Sequence, residues 1–244
     1  MIRTVIWVFL AALLLLVLSP VFFVLWLFRD RSEDAGPNRA AAAVFAPPVR
    51  FMARVAGAKI VVEGRENLPG GGALYVGNHQ GYFDALVALL YLGPMKCLLL
   101  KKSIAKLPVV NICVDLLASI PIDRENPRDS LKGILKVTAK LAAGRSVVIF
   151  PEGTRSRGPE MGEFKHGAFK AALKSNCVIV PFAIDGSYKC FEERGRLRPA
   201  TVRVSVLPPV RPEEYAGMRA PELSEMIKER IRGELDRMRR SPAG

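Results

Sequence analysis

Residues 73–92 read ALYVGNHQGYFDALVALLYL, and three patterns follow one another within them. Residues 73–77 are a short, almost wholly apolar run, the pattern of a strand covered on both faces. Residues 78–83 include polar side chains and a glycine, and read as a loop. From Asp84 an apolar helical pattern runs to Leu92, with the aspartate placed to cap it. The same alternation continues along the chain. Strands are expected at 59–63, 97–101, 119–122, 146–150, 178–184 and 202–207, and helices at 129–143, 167–174 and 222–239. In the helix at 129–143, Leu131, Ile134, Leu135, Thr138, Leu141 and Ala142 form one stripe, and Gly144 ends it. The predicted fold is therefore α/β: a mostly parallel layered sheet flanked by helices.

In such sheets ligands collect at the carboxyl ends of the strands. His79 directly follows the strand at 73–77, and Pro151-Glu152-Gly153-Thr154-Arg155 directly follows the strand at 146–150. The two loops are expected to wall one site. His79 is one of two histidines in 244 residues. An imidazole can take a proton from a hydroxyl near neutral pH, and a carboxylate accepting from its other nitrogen fixes the tautomer and strengthens the base. In an unbroken helix, positions five apart diverge by about 140°. His79 and Asp84 therefore meet only if the chain turns between them, which Gly81 allows. Taken alone, the segment equally fits an exposed loop histidine beside an aspartate that only caps its helix.

The net charge of +13 implies an anionic partner: nucleic acid, a membrane surface or a phosphorylated substrate. The N-terminus chooses among them. Residues 4–28 carry no charge and include Trp7 and Trp26 near the two ends, which suits a membrane-anchoring helix. A cleaved signal peptide needs a shorter run, whereas eight apolar residues follow Pro20 before Arg29. Ser19-Pro20 is expected to kink the helix, so a re-entrant hairpin stands beside a full crossing. Arg29, Arg31, Arg39, Arg50 and Arg54 follow the run and only Arg3 precedes it, which places the remainder on the cytoplasmic side of the cell membrane. Residues 30–38 read as a linker. A milder apolar segment at about 39–58, broken by Pro47-Pro48, fits an interfacial helix or one packed on the body. Two units follow: an anchor at 1–58 and a catalytic-sized body at 59–244. The terminal helix at about 222–239 reads as docked by its apolar stripe, with lipid contact through its Lys/Arg face as the alternative. Cys97, Cys113, Cys177 and Cys190 are far apart and mostly in apolar runs, so no metal site is expected.

Four blocks carry a resemblance. Asn78-His79-x4-Asp84, Ile120-Pro121-Ile122-Asp123-Arg124, Phe150-Pro151-Glu152-Gly153-Thr154-Arg155-Ser156 and Val180-Pro181-Phe182-Ala183-Ile184 stand in the order and approximate spacing of the glycerophospholipid acyltransferases. The chain most resembles the bacterial 1-acyl-sn-glycerol-3-phosphate acyltransferases, over about residues 59–207. The H-x4-D element alone is weak; with the F-P-E-G-T-R-S block about 70 residues later, the pattern is specific. The resemblance implies that His79 takes the proton from the sn-2 hydroxyl of a lysophosphatidate while Asp84 holds the imidazole. It implies Lys101, with Lys102 as fallback, as the oxyanion donor. Arg155 is the first choice for the acceptor's phosphate, since guanidinium matches phosphate bidentately, and Gly153 admits the backbone close to it. Thr154 belongs to the same loop. Arg124 is the second choice, against a plain ion pair with Asp123, and Lys165 adds positive potential. Glu152 orients Arg155, contacts the glycerol or holds the loop. His166 is read as structural, and Pro181 as shaping the sheet edge. The chain departs from many members at Gly81, where they carry Ser, and at Ser119, where they carry Gly; both bear on loop shape.

The implied donor is acyl-CoA or acyl carrier protein, the acceptor is lysophosphatidic acid, and membrane lipids are partners. No cofactor, metal or nucleic acid is implied. No Gly-x-Ser-x-Gly elbow is present, so the substrate hydroxyl itself is the expected nucleophile. A metal-dependent phosphatase or nuclease would need a carboxylate cluster, and a nucleic-acid module would show aromatics interleaved with Lys and Arg. The rivals that stay open are acylation of glycerol 3-phosphate or another lysolipid, and a catalytically silent lipid-binding protein.

Overall fold

Seven strands form one sheet in the order β1-β7-β6-β2-β5-β3-β4. They are β1 (Ala58–Glu63), β2 (Ala73–Gly77), β3 (Cys97–Lys101), β4 (Ile120–Ile122), β5 (Val147–Ile149), β6 (Val178–Asp185) and β7 (Ala200–Val206). This is a computed structural model that describes residues 1–240; positions 241–244, the end of the predicted second unit, lie outside the described residues. All seven expected strands occur, and β2 to β6 run parallel. The one reversal is at an edge, where β7 is antiparallel to β6 and β1 is parallel to β7.

Period-two alternation distributes the side chains between two cores. Leu74, Val76, Val147 and Ile149 face α5 (Pro127–Ala142), α6 (Phe169–Ser175) and α7 (Ala220–Arg240). Ala73, Tyr75 and Val148 face α3 (Phe83–Tyr91) and α2 (Arg39–Ala56). Both sheet faces are covered, which is why these strands read as nearly continuous apolar runs. Asn126 caps α5 by accepting from Arg128 N and Asp129 N, with Pro127 at the first helical position. A short helix, α4 (Val110–Leu116), has no counterpart in the sequence reading. Its residues Cys113 and Leu116 pack with Phe22 and Ala41, so tertiary contact rather than local pattern fixes it.

α1 (Ile2–Leu27) is one uninterrupted helix, long and apolar enough to cross a membrane. Pro20 removes the donor for Leu16 O, and Ser19 Oγ supplies a bond to that carbonyl at 2.7 Å. α2 likewise runs unbroken through Pro47 and Pro48, where the sequence suggested a break. Met52, Ala53 and Ala56 beyond the prolines are buried against the rest of the protein. α1 is fastened to the body near both ends. Trp7 Nε1 donates to Met52 O and Trp26 Nε1 to Asp115 Oδ2, each at 2.8 Å, and Leu197 N donates to Thr4 Oγ1 at 3.0 Å. Both indoles thus end on protein acceptors. Val5, Val8, Phe9, Leu16, Val17, Phe23 and Val24 remain exposed.

Lys96, only 1% exposed, closes the far end of α3. Its Nζ donates to Leu92 O at 2.5 Å and Pro94 O at 2.7 Å and sits 4.4 Å from the centre of the Tyr75 ring. Burial pulls this ammonium down to about 7. Between that value and the unfolded one, about 10.4, the unfolded chain binds more protons than the folded one, so stability rises with pH across the window. Relative to Lys96→Met, the wild type is expected to gain about 2 kcal/mol of unfolding free energy from pH 7 to pH 9. Denaturant titrations of both proteins at the two pH values check this; a pH-independent difference would show an ordinary solvated lysine.

Candidate active site

The site begins where β2 ends. Beyond the pair Gly77↔Phe182, the Asn78 side chain continues the ladder with β6: Nδ2 donates to Ile184 O at 2.9 Å and Oδ1 accepts from Ile184 N at 2.8 Å. A side chain doing the work of a backbone pair lets the main chain leave the sheet at this residue. His79 is therefore the first residue free to turn outward.

Asp84, in the first turn of α3, is fully buried. Its Oδ2 meets His79 Nδ1 at 2.8 Å and accepts from Gln80 N at 2.6 Å and Gly81 N at 2.7 Å. A carboxylate accepts, so Nδ1 carries the ring proton and the lone pair of Nε2 is left for another proton. The imidazole keeps 15% of its side-chain surface exposed and stacks on Phe150, with centroids 4.4 Å apart at 21°. The turn that joins His79 to Asp84 is made as expected, but Gly81 serves it differently. Gly81 is absent from the positive-φ glycines, and a Cβ built there would lie 2.6 Å from Glu192 Oε2. Position 81 is constrained by space, not by backbone conformation.

The second loop is laced to the first. Glu152 is buried; its Oε1 accepts from His79 N at 2.6 Å and its Oε2 from Gly162 N at 2.9 Å. Ser156 N donates to His79 O at 2.8 Å and Arg157 N to Gln80 O at 3.1 Å. Of the three roles open to Glu152, the structure displays the loop-holding one. Burial raises its carboxyl, against the pull of the two backbone donors. Gly153 adopts φ +73°, and its carbonyl accepts from Arg124 Nη1. Arg124 is thus turned to this loop; Asp123 instead accepts from Glu125 N at 3.1 Å. Burial lowers the Arg124 guanidinium. The Lys165 side chain lies across Gly153, its Cε 3.1 Å from where a Cβ would be. Thr154 is exposed.

Arg155 lies flat on Tyr82, its Cζ 3.6 Å from the ring centre, and Nη1 donates to Glu192 Oε1 at 2.9 Å. Sequence reading missed Glu192, Tyr82 and the His79–Phe150 stack. Tyr82 stood in the quoted loop, but nothing in the pattern around Glu192 marks it, because its partners lie 37 and 110 positions away. The loops 78–84 and 151–157 thus gather His79, Asp84, Glu152, Gly153, Arg155, Arg124 and Lys165. Lys101 stands at the same edge of the sheet with no hydrogen bond or ion pair to these residues among the described residues. It is exposed at the end of β3, and β5 stands between β3 and β2, so their backbones are about 9–10 Å apart. Lys102 lies 3.8 Å from Asp129. His166 is exposed at the start of a short turn before α6, away from any acidic partner among the described residues' ion pairs. Beside the loops, a largely apolar cavity of about 120 Å³ is lined by Leu99, Ile122, Ile134, Ile149 and Phe150 together with Arg124, Gly153 and Lys165. Phe150 is common to the cavity wall and the histidine stack.

Comparison with known proteins converges on one group. A family model described as Acyltransferase matches residues 59–185. The chain is 35% identical over 156 residues to a chloroplastic 1-acyl-sn-glycerol-3-phosphate acyltransferase of Arabidopsis thaliana, covering 62% of this chain and 44% of the relative. It is 34% identical over 155 residues to the 1-acyl-sn-glycerol-3-phosphate acyltransferase of Salmonella typhimurium, covering 63% of each. The crystal structure of a 1-acyl-sn-glycerophosphate (LPA) acyltransferase from Thermotoga maritima shares the fold, with TM-score 0.77 at 21% identity over 97% of this chain and 95% of that one. The chain spans about half the length of the first curated relatives it matches.

Proposed function

The chain belongs to the acyltransferase family, and on that premise we propose that it moves a fatty acyl group from an acyl thioester to the sn-2 hydroxyl of 1-acyl-sn-glycerol 3-phosphate, giving phosphatidic acid for phospholipid synthesis. The observation that carries this reading is the 2.8 Å contact of His79 Nδ1 with Asp84, which leaves Nε2 facing outward beside a cationic loop. Nε2 takes the hydroxyl proton as the oxygen attacks the thioester carbonyl; Asp84 stabilises the imidazolium. Collapse of the tetrahedral adduct breaks the C–S bond, and the imidazolium returns its proton to the departing sulfur. Protons and charge balance without an acyl-enzyme.

Arg155 is the favoured partner of the acceptor's phosphate, because its stacked guanidinium keeps N–H groups beyond the one given to Glu192. Arg124 and Lys165, at Gly153, support the developing negative charge and the phosphate from the other side, with Lys101 and Thr154 in outer roles. The apolar cavity behind Phe150, at about 120 Å³, has room for only a short part of an acyl chain. The relatives' names speak for lysophosphatidic acid over another lysolipid or glycerol 3-phosphate. The donor is coenzyme A or acyl carrier protein; both are acidic and suit a chain of net charge +13.

Residues 1–58 serve as the membrane anchor. Since α1 is tied to the body near both ends, its exposed apolar side embeds in one leaflet of the cytoplasmic membrane while the helix stays docked. A helix that stays in one leaflet keeps the catalytic body on the cytoplasmic side, and the Lys/Arg excess after α1 suits that leaflet's anionic surface. Purified protein in vesicles, assayed against lysophosphatidate, glycerol 3-phosphate and neutral or zwitterionic lysolipids with both donors, is expected to turn over lysophosphatidate fastest. Turnover of another acceptor with none of lysophosphatidate would overturn the reading.

A further inference from the structure

Glu192 keeps 3% of its side chain exposed. Its Oε1 accepts from two groups of the site: Arg155 Nη1 at 2.9 Å and Tyr82 N at 2.7 Å. One oxygen therefore fixes both the guanidinium and the backbone of the residue on which that guanidinium lies. Oε2 is buried and accepts no hydrogen bond among the described residues. The carboxylate lies over Gly81: a Cβ there would meet Oε2 at 2.6 Å and Cδ at 3.0 Å.

We propose that Glu192 is a positioning residue that holds Arg155 ready for the acceptor's phosphate, and that position 81 is glycine because the Glu192 carboxylate fills the space a side chain would need. The proposal rests on the acceptor assignment given above. A side chain at 81 must displace the carboxylate, since Gly81 itself is held by its N–H bond to Asp84. A displaced Glu192 releases Arg155 Nη1 and Tyr82 N together. It cannot simply rotate away, because a buried carboxylate deprived of its cation is strongly disfavoured. An arginine fixed in advance loses less freedom when it binds phosphate, so its release weakens acceptor binding more than turnover. The acid also partly neutralises Arg155, so the site presents a directed guanidinium edge rather than a loose charge.

The test is a cycle of wild type, Gly81→Ser, Glu192→Ala and the double variant, with lysophosphatidate and the phosphate-free 1-acylglycerol as acceptors. Each single variant is expected to raise the acceptor KM about tenfold and to cut the preference for lysophosphatidate over 1-acylglycerol by about the same factor. In the Glu192→Ala background, Gly81→Ser should cost less than about twofold more, since nothing is left to displace. Glu192→Gln, which keeps an acceptor oxygen, should recover part of the loss. Equal losses on both acceptors, or independent effects of the two positions, would overturn the proposal. If wild type acylates neither acceptor, the acyl-transfer reading itself fails; the coupling of the two positions is then read from thermal unfolding of the same four proteins, where additive shifts overturn it.

Discussion

Replacing His79 with alanine is expected to lower acyl transfer to lysophosphatidate by about a thousandfold or more while leaving the fold and lipid association in place. The loss is large because no second group is placed to stand in for the imidazole among the described residues: His166 has no ion-pair partner, Arg124 donates to Gly153 O, and the Lys165 side chain lies across Gly153. The fold survives for a specific reason. What His79 contributes to loop architecture is its backbone, which donates to Glu152 and accepts from Ser156. Asp84 keeps two backbone donors, Gln80 N and Gly81 N, when the ring is gone, so the buried carboxylate is not orphaned. Release of thiol from the acyl donor, followed alongside vesicle co-sedimentation, separates the two effects. A variant that keeps substantial turnover would remove the enzyme reading, and one that no longer associates with lipid would assign His79 a structural role.

The second large effect is at Asp84, where asparagine and alanine should differ. In Asp84→Asn the two backbone donors select the amide oxygen for the position of Oδ2, so Nδ1–H keeps an acceptor and the tautomer is retained. What disappears is the negative charge beside the imidazolium, and the amide nitrogen takes the place of the partnerless Oδ1, so the expected loss in kcat is about a hundredfold with a smaller loss of stability than in Asp84→Ala. In Asp84→Ala three donors lose their acceptor at once, and each buried unsatisfied group costs about 1–3 kcal/mol. That variant should lose activity as far as His79→Ala does and unfold at clearly lower temperature. Steady-state kinetics and thermal melts of both variants decide the matter. Near-wild-type kcat in Asp84→Asn beside a crippled Asp84→Ala would mean that the carboxylate acts only as a helix cap and loop clamp.

How much of this was legible in the chain follows from where the information lies. The strands could be read because five of them run parallel between two helical layers, and burial on both faces writes itself as unbroken apolar runs. The meeting of His79 with Asp84 could be read because both belong to one loop, and the PEGTR segment because it occupies the equivalent place after β5. α4 escaped because its helix is fixed by Phe22 and Ala41 from remote segments. The two prolines of α2 argued for a break, whereas the helix runs through them with its later residues buried. Lys101 could be placed at the sheet edge from its strand end, while the strand order, with β5 between it and β2, could not be read from the sequence. Glu192 was invisible: a side chain that reaches over Gly81 from more than a hundred positions away leaves no periodicity to detect.

The central claim is that the acceptor's own hydroxyl attacks the thioester, with His79 as base and no covalent acyl-protein stage. The four cysteines bear on this, since all are buried and burial pushes the thiols up, Cys97 and Cys113 to about 11 and Cys190 to about 12. None is a ready thiolate. Intact-mass measurement of the protein after mixing with excess acyl thioester, with the acceptor withheld, tests the claim directly. The predicted spectrum shows the unmodified chain, and adding lysophosphatidate then yields phosphatidic acid. A chain heavier by one acyl group, formed and then discharged at the rate of turnover, would contradict the mechanism.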